Sequence, residues 1–437
     1  MTFQALKNKP DGIRHDWLVS LLLGTLMFPQ IVLAKGLNLS KLGTCIAFTC
    51  WISSTLVRRR DILRVHSRLD AEVLVFILAT LLSILLLTKH HILGEILVYL
   101  QCGWIYFFLK DEVRSWKGQI KLAWFLVVPA ALSCLINIYR FNIGANRFVE
   151  GINRLNSPLD AGINVMSAEV LGILGVCVML IWVERRPFQR LILAVCNAIF
   201  ILTLGLSYSR GAWIGLLVAM ICSLMLFRTR KGLQNKILPI ASCLVLLLIV
   251  NSGILPSVTK RIETIENFKE NDHWYIYKVA VLETIPARPI FGWGRGNLED
   301  IWPEMAAATP GVPGWMAEGL PRDAHSTFLN IAAKNGVPML LLFVGIIAET
   351  LQILRKKWRL CPPGSREEAF FKLNFAVLIG FFAASFFVPM ENFPFIYVML
   401  AMPTALSSTS KVRSSRAVIW RIKTNEAPRN LLDCRHS

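Results

Sequence analysis

The sequence is poor in charge. Only 17% of its 437 residues are Asp, Glu, Lys or Arg, against about 25% in an average soluble domain. Acid is scarcer than base: 28 Asp and Glu stand against 47 Lys and Arg, a formal net charge of +19. Hydrophilic stretches are few as well. A disordered basic tail or a nucleic-acid-binding protein would be basic and hydrophilic. This chain is basic and 54% hydrophobic, with a mean hydropathy of +0.53, so no nucleic-acid partner is expected. None of its ten cysteines forms a CxxC pair or a Cys/His cluster, which removes zinc ligation and a disulfide framework. Eight of them fall inside apolar runs, where free Cys acts as a small buried hydrophobe. No D-x-D or comparable acidic pair marks a divalent-metal site. Neither a metal nor a cofactor is expected.

What is present is a series of long apolar runs. A bilayer core needs about 20 apolar residues per helix. The sequence predicts an all-α polytopic membrane protein with about twelve spans. They fall near 17–34, 41–57, 71–88, 92–109, 121–139, 162–183, 188–206, 210–227, 237–254, 326–354, 370–388 and 393–408. The first lies too late and too poorly flanked for a cleaved signal peptide. Alternate loops hold the basic clusters Arg58-Arg59-Arg60, Lys110 to Lys121, Arg185-Arg186, Arg228 to Lys236 and Arg355-Lys356-Lys357. Positive charge stays inside, so these loops and both termini are expected in the cytoplasm. Divided this way, the inner side carries the whole +19 and the outer side is neutral. Residues 1–254 then hold nine spans, 255–325 form one long outer loop, 326–408 hold three more spans, and 409–437 are a basic cytoplasmic tail. Loops this long are usually functional.

On the outer side the arginines stand out, because topology should deplete them there. Arg140, Arg147 and Arg154 recur every seven residues, which predicts one helix face across 140–161. That segment is either a basic amphipathic helix on lipid headgroups or a phosphate-binding one. In Ser207-Tyr208-Ser209-Arg210-Gly211-Ala212-Trp213, a serine can cap the following helix. Arg210 would stand at its N-terminus, where an anion is favoured; the alternative is a snorkelling side chain. The loop segment Arg288-Pro289-Ile290-Phe291-Gly292-Trp293-Gly294-Arg295-Gly296 follows a helix-like run from His273 to Ile285. It is either an anion-binding turn or a packing turn. His325, in Asp323-Ala324-His325-Ser326-Thr327-Phe328-Leu329, starts a predicted span. It suits a general base, with Asp323 to orient it, or else a polar helix cap. Lys334 would lie within the membrane on the same span, and an ionisable group there is a functional candidate. Glu95 and Glu169 lie near outer span ends, to pair with arginines or line a polar cavity.

Three stretches together resemble the O-antigen ligase and polymerase superfamily of bacterial inner membranes. They are Ser209-Arg210-Gly211-Ala212-Trp213, Arg288-Pro289-Ile290-Phe291-Gly292-Trp293-Gly294, and His325-Ser326-Thr327-Phe328-Leu329 running to Gly336. Each alone is loose; their order, spacing and topology match over roughly residues 70–405. The resemblance implies a GT-C-like membrane glycosyltransferase that is metal-independent and inverting. The donor would be O-antigen on undecaprenyl pyrophosphate, and the acceptor a sugar hydroxyl of lipid A–core at the periplasmic face. It implies His325 as the base and Arg210 and Arg288 as pyrophosphate holders. Arg147, Arg154 and Arg295 are added from charge and position. The rivals are an O-antigen polymerase, a protein O-oligosaccharyltransferase, or a lipid or polysaccharide transporter without chemistry.

Overall fold

The computed structural model describes residues 16–28, 32–34, 37–57, 65–88, 92–113, 115–143, 148–149, 152–153, 162–227, 272–315 and 323–404. The described chain is overwhelmingly helical. It begins with α1 (Asp16–Leu26), the strands β1 (Val32–Ala34) and β2 (Leu37–Asn38), α2 (Leu39–Val57), α3 (Arg68–Leu87), α4 (Ile92–Glu112) and α5 (Trp116–Asn142). The strands β3 (Phe148–Val149) and β4 (Ile152–Asn153) follow, then α6 (Ile163–Val183), α7 (Pro187–Ser207) and α8 (Arg210–Leu226). A helical run comprising Asp272–Val279, a π turn at Ala280–Thr284 and Ile285–Ala287 is called α9. Then come α10 (Leu298–Ala308), α11 (Thr327–Asn335), α12 (Val337–Leu360), α13 (Arg366–Ser385) and α14 (Pro394–Thr404).

Seven of the described helices are long and apolar enough to cross a membrane: α3, α4, α5, α6, α7, α12 and α13. The apolar helices α1, α8 and α14 are shorter. The chain is a multi-pass membrane protein by this measure. The outward surfaces agree: Leu86 is 71% exposed and Leu93 70%, a degree of apolar exposure suited to lipid rather than water. The expected ninth span, 237–254, lies outside the described residues.

Local sequence explains where the helices stop, and it corrects three expectations. The first span was expected to reach residue 34. Instead α1 ends at Leu26, and β1 pairs antiparallel with β2; Pro29 in the sequence forbids helical continuation. Among the described residues, no single helix runs across 140–161. α5 ends at Asn142, and Phe148–Val149 pairs with Ile152–Asn153 as a small hairpin. Arg140 sits in the last turn of α5, so the seven-residue arginine spacing has no continuous helix to occupy. Arg147 and Arg154 lie outside the described residues. The span expected over 326–354 is two helices, broken at Gly336. That residue adopts φ +90° and caps both α11 and α12, and Pro338 follows in the first turn of α12. Proline suits a helix start and not its interior.

The tightest packing joins α8 to α13. Gly215 and Ala219 of α8 are small residues facing Gly380 and Ala384 of α13. A Cβ added at Gly215 would lie 2.5 Å from the Gly380 carbonyl oxygen, and one at Gly380 2.5 Å from the Ala219 Cβ. Membrane helices have no hydrophobic drive to associate, so close backbone approach through small residues provides the contact. α13 also packs on α6, whose 18-residue apolar window is 72% buried, the highest share among the spans. Gly215→Ala should therefore destabilise the protein by about 1–3 kcal/mol through overpacking. Gly94→Ala, which meets nothing within 4 Å, should not. Thermal unfolding in detergent compares the two; equal melting would remove this contact as a packing determinant.

Candidate functional site

The three sequence motifs converge at one end of this helix pair. Gly211, beside Arg210, abuts Phe387: a Cβ there would lie 2.8 Å from the Phe387 Cβ. The neighbouring Phe386 stacks on Phe328 of α11, with centroids 4.3 Å apart. The same turn after α13 holds the start of α11 by polar contacts. Thr327 donates its N–H and its hydroxyl to the Val388 carbonyl, at 3.0 and 2.6 Å. Met390 N–H donates to Thr327 Oγ1 at 2.9 Å. The SRGAW and HSTFL segments are thus linked through residues 386–390.

The arginine–glycine turn is fastened to the other end of α11 by backbone bonds. Trp293 N–H donates to Ala333 O at 2.9 Å, Gly294 N–H to Lys334 O at 2.9 Å, and Val337 N–H to Pro289 O at 2.7 Å. The first two supply partners for carbonyls that the end of α11 leaves open, and the third gives a partner to an N–H at the start of α12. Two glycines make the approach possible. A Cβ at Gly336 would lie 2.0 Å from the Ile290 oxygen, and one at Gly292 2.5 Å from the Lys334 carbonyl carbon. Both residues also have positive φ, +90° and +68°, which disfavours any side chain. Of the two readings of the glycines, the packing turn is the one seen, and Arg288 and Arg295 lie on it.

Those arginines have different surroundings. Arg288 is exposed, and its guanidinium lies 4.2 Å from the centre of the Trp293 ring, a cation–π contact. The indole is fixed by its N–H donating to Thr284 O at 2.8 Å, in the π turn of α9. Among the described residues neither Arg288 nor Arg210 has a carboxylate partner. Arg210 is the first residue of α8 and half-buried. Ser209 occupies the cap position without donating or accepting a capping bond, contrary to expectation, while Ser207 Oγ accepts from Ser209 N–H at 3.3 Å. Arg295 is 4% exposed. Its Nε donates to Glu95 at 2.5 Å, one terminal nitrogen donates to Tyr99 Oη at 2.5 Å, and that nitrogen lies 3.5 Å from Glu391. Burial works against its charge, but Tyr99, Glu391 and Glu95 outweigh this and raise its pKa. Two of its guanidinium nitrogens are thus already engaged within the protein. Of the two readings of Glu95, pairing with an arginine is the one seen.

His325 has φ +44°, a left-handed conformation rare for a side-chain-bearing residue. Such a conformation costs about 1–3 kcal/mol and persists only where its surroundings enforce it. Here Asp323 does so. Its Oδ1 accepts the His325 N–H at 2.9 Å and lies 3.5 Å from His325 Nδ1. Asp323 Oδ2 accepts from Asn330 Nδ2 at 3.3 Å. Burial pushes the Asp323 carboxyl up, but Lys334, His325 and the two hydrogen bonds hold it below its ordinary range. Its stabilising contribution is therefore full above the ordinary carboxylate pKa and lost as pH falls through the lowered one. Lys334 is not inside a long span, as expected. It closes the short α11, is 7% exposed, and pairs with Glu391 at 3.3 Å. His273 of α9 stands edge-to-face against His325, centroids 5.2 Å apart.

The sequence did not single out Glu391, Asn330, Tyr99 or His273 as site residues. Glu391 had a signal: it is an isolated acid in the apolar run Phe386–Ile396 between two expected spans. The cluster contains three carboxylates, Asp323, Glu391 and Glu95, against Arg295 and Lys334.

Residues 195–344 match the family model described as O-antigen ligase. The match runs from α7 into α12 and includes Arg210, Arg288, Arg295, Asp323, His325 and Lys334. No curated protein matches the chain. The match supports a ligase- or polymerase-type function for this region.

The backbone clasp yields a direct prediction. Gly336→Ala adds a clash and a strained φ, each costing about 1–3 kcal/mol. It should lower both the melting temperature and any transferase activity. Gly345→Ala in α12 meets nothing within 4 Å and should be silent in both assays. A fully active Gly336→Ala would mean that the clasp does not hold the site.

Proposed function

We propose that the protein is an O-antigen ligase. It would transfer a glycan from undecaprenyl pyrophosphate to a sugar hydroxyl of lipid A–core, at the periplasmic face of the bacterial inner membrane. The observation that carries this reading is His325, strained into φ +44°, its N–H held by Asp323 and its Nδ1 3.5 Å from the same carboxylate oxygen, within a region matching the ligase family.

The chemistry follows from these groups. Asp323 beside Nδ1 keeps the proton on that nitrogen and leaves Nε2 as the base. Nε2 takes the proton as the acceptor hydroxyl oxygen attacks the anomeric carbon. A new C–O bond forms there while the bond to the pyrophosphate oxygen breaks. Undecaprenyl pyrophosphate leaves with the electron pair, and attack from the opposite face inverts the anomeric centre. The negative charge developing on the leaving group needs fixed positive partners. Arg288, presented on Trp293, and Arg210, at a helix start where N–H groups also face an anion, take that role, and neither has a carboxylate partner among the described residues. Guanidinium suits phosphate through paired hydrogen bonds. Arg147 and Arg154 remain proposed additions by charge and position. Arg295 belongs to the support, since its charge is answered within the protein. The reading calls for no metal, because arginines take the leaving-group role and the nearby carboxylates are engaged with Arg295, Lys334 and the His325 loop. Two lipid-borne substrates would suit a GT-C-like membrane glycosyltransferase.

The test uses purified protein in detergent with EDTA, undecaprenyl-pyrophosphate-linked glycan and lipid A–core. Joined product supports ligation. Longer glycan without use of the acceptor would assign polymerase activity instead, and neither product would leave a transport role. His325→Ala should lower turnover by about 10²–10⁴-fold, the usual contribution of a general base, at unchanged protein level. Arg288→Lys should be nearly as damaging as Arg288→Ala, since lysine cannot make the paired contact. Full activity of Arg288→Lys would remove that assignment.

A further inference from the structure

Asn330 lies in the second turn of α11 and is wholly buried. Asparagine is a poor helix former because its amide competes for backbone groups, so a buried one inside a helix asks what its amide does. Here every atom of the amide is engaged. Oδ1 accepts the Ala324 N–H at 2.8 Å. Nδ2 donates to Asp323 Oδ2 at 3.3 Å and to Glu391 Oε1 at 3.2 Å. Its oxygen therefore ties down the loop residue between Asp323 and His325, and its nitrogen bridges two carboxylates.

We propose that Asn330 is a positioning residue for the transfer: it fixes the Asp323 carboxylate in the orientation that aims His325. This rests on the reading of His325 as the base. Asp323 divides its two oxygens. Oδ1 serves His325, and Oδ2 is held by Asn330. Without that second bond the carboxylate is free to turn about its terminal torsion, a broad and weakly restrained rotation. The chemistry of the amide is specific. Aspartate has the same shape but would set a third carboxylate between Asp323 and Glu391. Leucine can neither accept from Ala324 nor donate to either acid. Among the described residues, Asp323 from its own loop and His273 from α9 face His325. Beyond Asn330 stand Glu391 and Lys334, and then Arg295.

The full-length protein in detergent tests the proposal by kcat and KM for the lipid-linked donor across pH. Asn330→Asp adds negative charge near the imidazole, which favours its protonated form. The acidic limb of kcat/KM should move up by about one pH unit, with activity recovering at higher pH. Asn330→Leu and Asn330→Ser remove the carboxylate clamp. They should lower kcat by about 10–100-fold, as misplacement of a reacting group does, with donor KM within about twofold of wild type. Asn330→Ser adds no charge and no bulk, so it carries the test if either larger change prevents folding. An acidic limb and kcat equal to wild type in the folded variants, or a loss confined to KM, would overturn the proposal. His325→Ala separates the two levels. If it retains activity, the base reading falls and this proposal with it. If it is inactive while Asn330 variants keep the wild-type profile, only the role of Asn330 falls.

Discussion

The backbone contact between the Pro289–Gly294 turn and the end of α11 organises the rest of the site. Three N–H groups donate across it within 2.9 Å, and the contact leaves no room for a Cβ at Gly292 or Gly336. Side-chain packing alone tolerates shifts of a few tenths of an ångström. A backbone-to-backbone seam without intervening side chains tolerates far less, because hydrogen-bond strength falls steeply with distance and angle. One side of this seam carries Arg288 and Arg295; the other carries His325, Asn330 and Lys334. Their relative placement is set by peptide groups rather than by the flexible ends of long side chains. A transfer reaction needs its base and its anion holders kept in register, and such a seam provides that.

The buried charges behind the seam form a second constraint. Glu391 faces Arg295, Lys334 and Asn330, which come from two other segments of the chain. Isolated, each of these charges would be expensive to bury. Together they are tolerable, and removing one partner leaves another exposed to the full penalty. This separates the arginines into two kinds. Arg295 is neutralised by protein and holds structure. Arg210 and Arg288 have no carboxylate partner among the described residues, so an anionic substrate is their natural complement.

Much of this was legible in the chain. The apolar runs give the helices to within a few residues at α3, α4, α6 and α7, because bilayer thickness fixes span length. The expected pairing of Asp323 with His325 is present, as local chain geometry allows. Expectations failed where a regular period was extended through a breaker. α1 ends at Leu26, ahead of Pro29 in the sequence, α5 ends at Asn142 two residues past Arg140, and Gly336 with Pro338 divides one expected span into two. Glu391 and Asn330 were passed over because their meaning lies in partners more than fifty residues away or buried in the same helix face.

By itself the sequence determined a membrane protein of many apolar helices, with three short motifs carrying arginine, glycine and histidine. Hydrophobicity and periodicity are local properties, and they survive without a fold. Tertiary structure alone decided which arginine is neutralised and which are not. Arg288 and Arg295 are seven residues apart in one loop, and nothing in their neighbours distinguishes them. Glu95 on α4 and Glu391 after α13 meet Arg295 and leave Arg288 on the face of Trp293. Charge compensation acts through space between distant segments, so only the assembled helices can assign it.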